Sequence, residues 1–192
     1  MKKDIILAGV GGQGVLAVAA IIAQGAAREG LRVRQSEVHG MAQRGGAVLA
    51  HLRIADAPIA SDLVPQGGAD IIISMEPLES LRYLAWLSPD GAVVTACEVF
   101  LNIGNYPDIR VITEAIAQIP HHRMVQAAEL AKQAGLARAV NMVMVGAASP
   151  YLPVSAETLE QVIGDMFASK DASLITANRK AFALGRRDSL GL

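Results

Sequence analysis

Two stretches of this chain carry residue types that could do chemistry. The first is Gly9-Val10-Gly11-Gly12-Gln13-Gly14, set between the apolar run Asp4 to Ala8 and the alanine-rich segment Val15 to Gly30. Glycines at 9, 11 and 14 fit the G-x-G-x-x-G spacing of a strand, a tight turn and a helix. That spacing leaves no Cβ where the chain turns and where a bound anion would approach the backbone. A helix opening there aims unpaired N–H groups and the positive end of its dipole at the turn, a setting for a phosphate or carboxylate. The same glycines would also serve only to let a helix pack closely on a strand.

The second stretch is Glu37 with the loop that follows, His39-Gly40-Met41-Ala42-Gln43-Arg44-Gly45-Gly46. An acid roughly 20 residues past a glycine turn is where a dinucleotide fold keeps its ribose-binding carboxylate. The loop has no apolar periodicity, and its glycines let His39, Gln43 and Arg44 bring a titratable ring, an amide and a forked cation to one ligand or partner surface. A hairpin turn with solvated side chains is the plainer alternative.

The elements that must position these groups follow from periodicity. Asp4 to Ala8 reads as a first strand and Val15 to about Glu29 as a buried helix capped by Gly30, because apolar and small residues occupy most of its circumference. Leu31 to Ser36 alternates as a second strand, and Ala47 to Ile54 as a third with Val48, Ala50, Leu52 and Ile54 on one face. Too few residues separate these two for a crossover, so they are expected to be antiparallel neighbours in a mixed sheet. His51 reads as a half-exposed strand residue. Asp56 to Pro58 is a turn and Ser61 to Gly68 a loop. Asp70 to Ser74 is a buried strand, and Glu76-Pro77 opens a helix with Leu78, Leu81, Leu84, Ala85 and Leu87 on its apolar face, stopped by Ser88 to Gly91. Gly91 to Cys97 reads as another strand and Ile109 to Ile112 as a short last one near the edge. The rest reads as helical: Met124 to Gln133, Ala139 to Ala148, a helix after Pro153 with Ser155 as N-cap, and Ser173 to Leu184 capped by Gly185. The expected class is α/β, a three-layer Rossmann-like domain with a mixed, mostly parallel sheet and a helical C-terminal region, spanning residues 1–192 as one domain.

Composition narrows the chemistry. With 52% apolar residues and only 4% aromatic, the core must be built from Ala, Val, Ile, Leu and Met. A formal charge of -1 gives no basic footprint for nucleic acid, and no charge run suggests a membrane surface. Lys2-Lys3 ahead of Ile5-Ile6-Leu7 imitates a signal peptide, but Asp4 and the glycine turn cut the apolar segment short. Val15 to Ile22 is too short to span a bilayer, so a cytoplasmic protein is expected. The single cysteine, Cys97, excludes an internal disulfide and cannot supply the four thiolates an iron–sulfur cluster normally takes. Within a buried strand it reads as inert packing. His121 and His122 lack a nearby acid or cysteine at ligand spacing, so no metal site is expected.

Gly9 to Gly14 combined with Ser36-Glu37-Val38-His39-Gly40-Met41-Ala42-Gln43-Arg44-Gly45-Gly46 closely resembles the gamma-type subunits of 2-oxoacid:ferredoxin oxidoreductases, the indolepyruvate type above all. The likeness extends through Glu76-Pro77-Leu78-Glu79, Asn141 to Ala147 and Asn178 to Gly185. The resemblance implies a part in oxidative decarboxylation of a 2-oxoacid, an arylpyruvate, to an acyl-coenzyme A with electrons passed to ferredoxin. It also implies that thiamine diphosphate, magnesium and the iron–sulfur clusters sit on a larger catalytic subunit, with coenzyme A as co-substrate and no cofactor or catalytic residue on this chain. The lone cysteine agrees independently, as does the lack of a Gly-Asp-Gly run followed by paired asparagines. On this reading Gly9, Gly11, Gly12, Gln13, Gly14, Glu37, His39, Gln43, Arg44 and Gly45 bind an anionic group or a partner loop. Arg44 makes the charged contact, since its fork suits phosphate or carboxylate bidentately. The competing readings are a self-sufficient NAD- or flavin-dependent oxidoreductase using the glycine turn and Glu37, and a nucleotide-sensing module without chemistry.

Overall fold

The computed structural model describes residues 1–39, 45–101 and 103–192, the side chain of His39 excepted. β1 (Lys2–Val10) is buried along most of its length because it lies mid-sheet with apolar side chains on both faces. Ile5 and Leu7 enter one core; Ile6 and Ala8 enter the other. The sheet order is β2-β3-β1-β4-β5-β6, with β2 at Arg32–His39, β3 at Ala47–Ala55, β4 at Ala69–Ser74, β5 at Leu87–Ala96 and β6 at His122–Val125. β1, β4, β5 and β6 run parallel, and β3 lies antiparallel between β1 and β2. This is the mixed, mostly parallel sheet that the short β2–β3 connection demands.

The larger core fills one face of the sheet beneath α1 (Val15–Arg28), α4 (Ala127–Gln133), α5 (Val140–Ala148), α6 (Ala156–Met166) and α7 (Ala172–Leu190). The smaller core joins Ile6, Ile72 and Val93 on the other face to Val64 and Tyr83. It lies beneath α2 (Pro77–Arg82), the 3-10 turn Leu84–Trp86 and the segment carrying Val64. α6 opens on Ser155 as its composition predicts, the side-chain oxygen accepting from Thr158 N–H at 3.1 Å.

Four expectations are corrected. Ile109 to Ile112 is not a strand but the start of α3 (Ile109–Ala117), opened by Asp108, whose carboxylate accepts from Arg110 N–H; Ile112 and Ile116 are buried four residues apart on one face. The last strand is β6, four residues whose order comes from pairing with β5. A four-residue apolar run carries too little periodicity to separate the two states. The helix after Glu76 stops at Arg82, and Ser88 to Gly91 form an irregularity inside β5: Ala69 pairs with Leu87 but Ile71 with Ala92. His51 is buried, not half-exposed. Its Nδ1 accepts from Val64 N–H at 3.2 Å and its ring meets Trp86 edge-on, because the segment after β3 folds back over that face.

The fourth correction concerns Gly185, which does not cap α7 but lies inside it, and the helix runs on to Leu190. α5 is buried from Met142 to Ala148 and packs along α7. At their crossing a Cβ on Gly146 would lie 2.0 Å from the carbonyl oxygen of Phe182, and one on Gly185 would lie 2.0 Å from that of Val143. Glycine here serves backbone-to-backbone approach, not a left-handed turn.

The amino-terminal end of the sheet is closed by a buried ion pair. The carboxylate of Asp4, fully buried, accepts from Arg53 Nε at 2.8 Å and Nη2 at 3.1 Å, and meets Lys2 Nζ at 2.8 Å. Burial by itself would raise the acid. The hydrogen bonds and charges of Arg53 and Lys2 outweigh it and hold Asp4 below its ordinary value.

Candidate functional site

The opposite rim, at the carboxyl ends of the parallel strands, gathers the residues with chemistry to offer. α1 leaves β1 on one face and α2 leaves β4 on the other, which opens a crevice at a topological switch point. Within the glycine turn, Gly12 and Gly14 adopt φ of 101° and 82°, so L side chains are strained at both. At Gly9 the reason differs: a Cβ would lie 2.7 Å from Val15 Cγ2 and 3.1 Å from Met75 Cβ, so its absence seats α1 against the strand ends.

The turn uses several of its own donors. Gly11 N–H donates to Gly46 carbonyl at 2.8 Å, Gly45 N–H to Gly11 carbonyl at 3.3 Å, and Gln13 N–H to Val10 carbonyl at 3.0 Å. Gln13 is a brace: its Oε1 accepts from Val10 N–H at 2.8 Å and its Nε2 donates to Met75 carbonyl at 3.2 Å. What faces outward is the start of α1, where Val15 and Leu16 N–H have no intrahelical acceptor. Beside it stands Asn141, whose Nδ2 is 3.2 Å from where a Cβ on Gly14 would be.

Asn141 also forms one wall of an open cleft of about 550 Å³. Arg138 and Lys170 supply two cations, Asn141 and Asn178 two amides, and Leu136, Phe167 and Leu174 an apolar surface. Among the described residues no carboxylate lines it and neither cation has an ion-pair partner. Asn178 is buried and donates to Leu174 carbonyl at 2.8 Å, and Asn141 Oδ1 accepts from Met142 N–H at 3.2 Å, so both amides are oriented by their own helices. Such a cleft suits a ligand with phosphate groups and an apolar or planar portion. Among the described residues that line it there is no hydroxyl, thiol or carboxylate.

The sequence-derived candidates among the described residues are dispersed between this rim and the edge of the sheet. Gly9, Gly11, Gly12, Gln13 and Gly14 form the turn, and Gly45 is bonded to it. Glu37 stands on β2, at the sheet edge, in register with Ala50 and through it with Leu7. Because β3 intervenes, the acid is two strands, roughly 10 Å, from β1, and the adjacent-strand geometry of a dinucleotide site is not formed. His39 ends β2 opposite Val48. Gln43 and Arg44 lie outside the described residues. Arg138, Asn141, Lys170 and Asn178 were not singled out as site residues from the sequence, although asparagine inside the otherwise apolar helix Val140–Ala148 is a signal that could have found one of them.

Two further groups on the rim are tuned by their surroundings. Glu76 is buried; its Oε2 accepts from Glu79 N–H at 2.9 Å and its Oε1 from Phe100 N–H at 3.4 Å and from the Tyr106 hydroxyl. Burial, the hydrogen bond to Glu76 and the Glu76 charge together raise the Tyr106 phenol above its ordinary value. Burial, reinforced by the charges of Glu98 and Asp188, pushes the Cys97 thiol up to about 11, so it stays protonated near neutral pH. Among the described residues no three His, Cys, Asp or Glu side chains gather at metal-ligand distance, and no helix is long and apolar enough to cross a membrane.

A family profile described as pyruvate ferredoxin/flavodoxin oxidoreductase matches residues 4–187. Indolepyruvate oxidoreductase subunit IorB of Archaeoglobus fulgidus is 37% identical over 199 aligned residues, covering 99% of this chain and 96% of that protein. The subunit of the same name from Pyrococcus horikoshii is 36% identical, covering 96% and 95%. Among solved structures, 2-oxoglutarate:ferredoxin oxidoreductase from Magnetococcus marinus, with 2-oxoglutarate, coenzyme A and succinyl-CoA bound, superposes with a TM-score of 0.78 at 23% identity. The match covers all of this chain, which spans 31% of that longer one. Pyruvate oxidoreductase subunit PORC from Thermotoga maritima superposes at 0.73 with 22% identity, over 97% of this chain and 96% of the other. These two likenesses establish the fold.

Proposed function

We propose a function from one premise: this chain belongs to the pyruvate ferredoxin/flavodoxin oxidoreductase family. It is the subunit without thiamine in a 2-oxoacid:ferredoxin oxidoreductase, and its nearly full-length likeness to IorB subunits makes the 2-oxoacid an indolepyruvate or related arylpyruvate. The complex decarboxylates the 2-oxoacid oxidatively, transfers the acyl group to coenzyme A and passes the electrons to ferredoxin in the cytoplasm. Thiamine diphosphate with its magnesium, and the iron–sulfur clusters, do not fit the residues present here, since the chain has one cysteine and no ligand cluster among its described residues. They belong to the larger catalytic subunit.

The observation that carries this chain's own part is the cationic cleft beside the start of α1. Arg138 and Lys170 hold the phosphates of coenzyme A, with the outward N–H groups of α1 and Asn141 beside them, while Phe167 and Leu174 cover the apolar face of the adenosine end. For His39, Gln43 and Arg44 the proposed role is contact with the catalytic subunit, as the family resemblance implies. The chain thus orients the acyl acceptor and excludes water while the reacting centre lies on its companion. In the reconstituted complex, Arg138→Ala and Lys170→Ala should each raise the KM for coenzyme A by about tenfold, the loss of one exposed charge-assisted contact. The KM for the 2-oxoacid should stay unchanged. Unaltered coenzyme A kinetics in both variants would reject the cleft, and 2-oxoacid oxidation by the purified chain alone would reject the division of labour.

A further inference from the structure

Six of the thirteen large apolar side chains exposed among the described residues fall between positions 99 and 111: Val99, Phe100, Leu101, Ile103, Ile109 and Val111. They lie on the segment leaving β5 and on the start of α3. Exposed apolar side chains concentrated on one segment suit a protein contact. It is also held in place at several points. Glu98 Oε1 accepts from Ala128 N–H at 2.6 Å, buried Glu76 takes both Phe100 N–H and the Tyr106 hydroxyl, and Asp108 opens α3. A surface fixed before its partner arrives loses less conformational entropy on binding.

Its position identifies the partner. β5 runs parallel to β1, so this segment opens on the rim that carries the glycine turn and the Arg138–Lys170 cleft. The connection is physical: Gln13 holds Met75 carbonyl, and the next residue, Glu76, holds the segment. A subunit that brings its reacting centre to this rim must cover the adjoining apolar surface as well.

Resting on the function proposed above, we propose that Val99 to Leu101 and Ile103 to Val111 form the docking surface for the thiamine-bearing subunit, with Glu76 and Tyr106 as the latch that holds it in register. Leu101, 77% exposed, is the probe of choice because its replacement leaves the core intact. Titrated against the separately purified thiamine-bearing subunit and followed by sedimentation velocity, Leu101→Asp should weaken assembly by about tenfold or more, since a charge is then buried in an apolar contact. Tyr106→Phe should weaken it by roughly threefold, the loss of one hydrogen bond. Both should recover wild-type turnover at saturating concentration, and Arg138→Ala should assemble normally. Wild-type affinity in both Leu101→Asp and Tyr106→Phe overturns the docking surface and leaves the function standing. A wild-type chain that does not bind the thiamine-bearing subunit refutes the function itself. A wild-type dimer that Leu101→Asp splits, with heterologous assembly unchanged, makes a second copy the occupant and also overturns the proposal.

Discussion

Replacing Gly185 with alanine separates a local account of this chain from a tertiary one. In a helix interior, Gly→Ala stabilises by about 0.8 to 1 kcal/mol through backbone entropy alone. At Gly185 the new Cβ would sit 2.0 Å from Val143 carbonyl oxygen, where ordinary contact begins near 3.4 Å, so α5 and α7 must separate by more than an ångström. Overpacking a tight interface typically costs about 1 to 3 kcal/mol and occasionally more. Both partners here are backbone, which has no rotamer to yield, so we expect a net loss of about 3 kcal/mol, or roughly 6 to 12 °C in Tm for a chain of this size. Urea denaturation followed by circular dichroism should show a lower midpoint at unchanged slope. Because α5 carries Asn141 and α7 carries Asn178, the same variant in the assembled complex should also raise the KM for coenzyme A. Gly146→Ala strains the same crossing, so the double variant should lose less than the sum of the two. Wild-type or greater stability in Gly185→Ala, as helix propensity alone requires, would refute the packing argument.

Three further outcomes follow from the electrostatics. Asp4 is held below its ordinary carboxylate value of 3.8, so its contribution is present above that pH and is lost as pH falls through the depressed native value. Asp4→Asn should lower stability at neutral pH and flatten the acid limb of the melting profile, and an unchanged limb would show that Arg53 and Lys2 do not hold the acid. His51 is lowered by burial, with the Arg53 charge second; it therefore folds neutral, and stability should decline as pH drops below its ordinary 6.5 toward the native value. His51→Gln should remove that slope in urea titrations carried downward from its ordinary 6.5. With its thiol near 11, half-buried Cys97 should alkylate with iodoacetamide at neutral pH at least tenfold more slowly than glutathione, and equal rates would contradict the raised thiol.

What could be read without coordinates was local in origin. The glycine turn, the buried helix after it, the antiparallel β2–β3 pair and the cap at Ser155 each depend on residues within a few positions of one another. The lone cysteine excluded a cluster by count alone. The remainder required tertiary contact. Whether Gly185 ends a helix or admits another backbone depends on Val143, some forty residues earlier, and a glycine looks the same in both settings. Ile109 to Ile112 and His122 to Val125 are each too short to declare a period, and pairing with β5 decided the second. Glu37 lost its dinucleotide-like setting only because β3 inserted beside β1. The cleft is the fullest case, since Arg138, Asn141, Lys170 and Asn178 come from separate turns and helices and converge because α5, α6 and α7 pack together. Short-range preference chose the elements, whereas long-range packing chose which side chains meet.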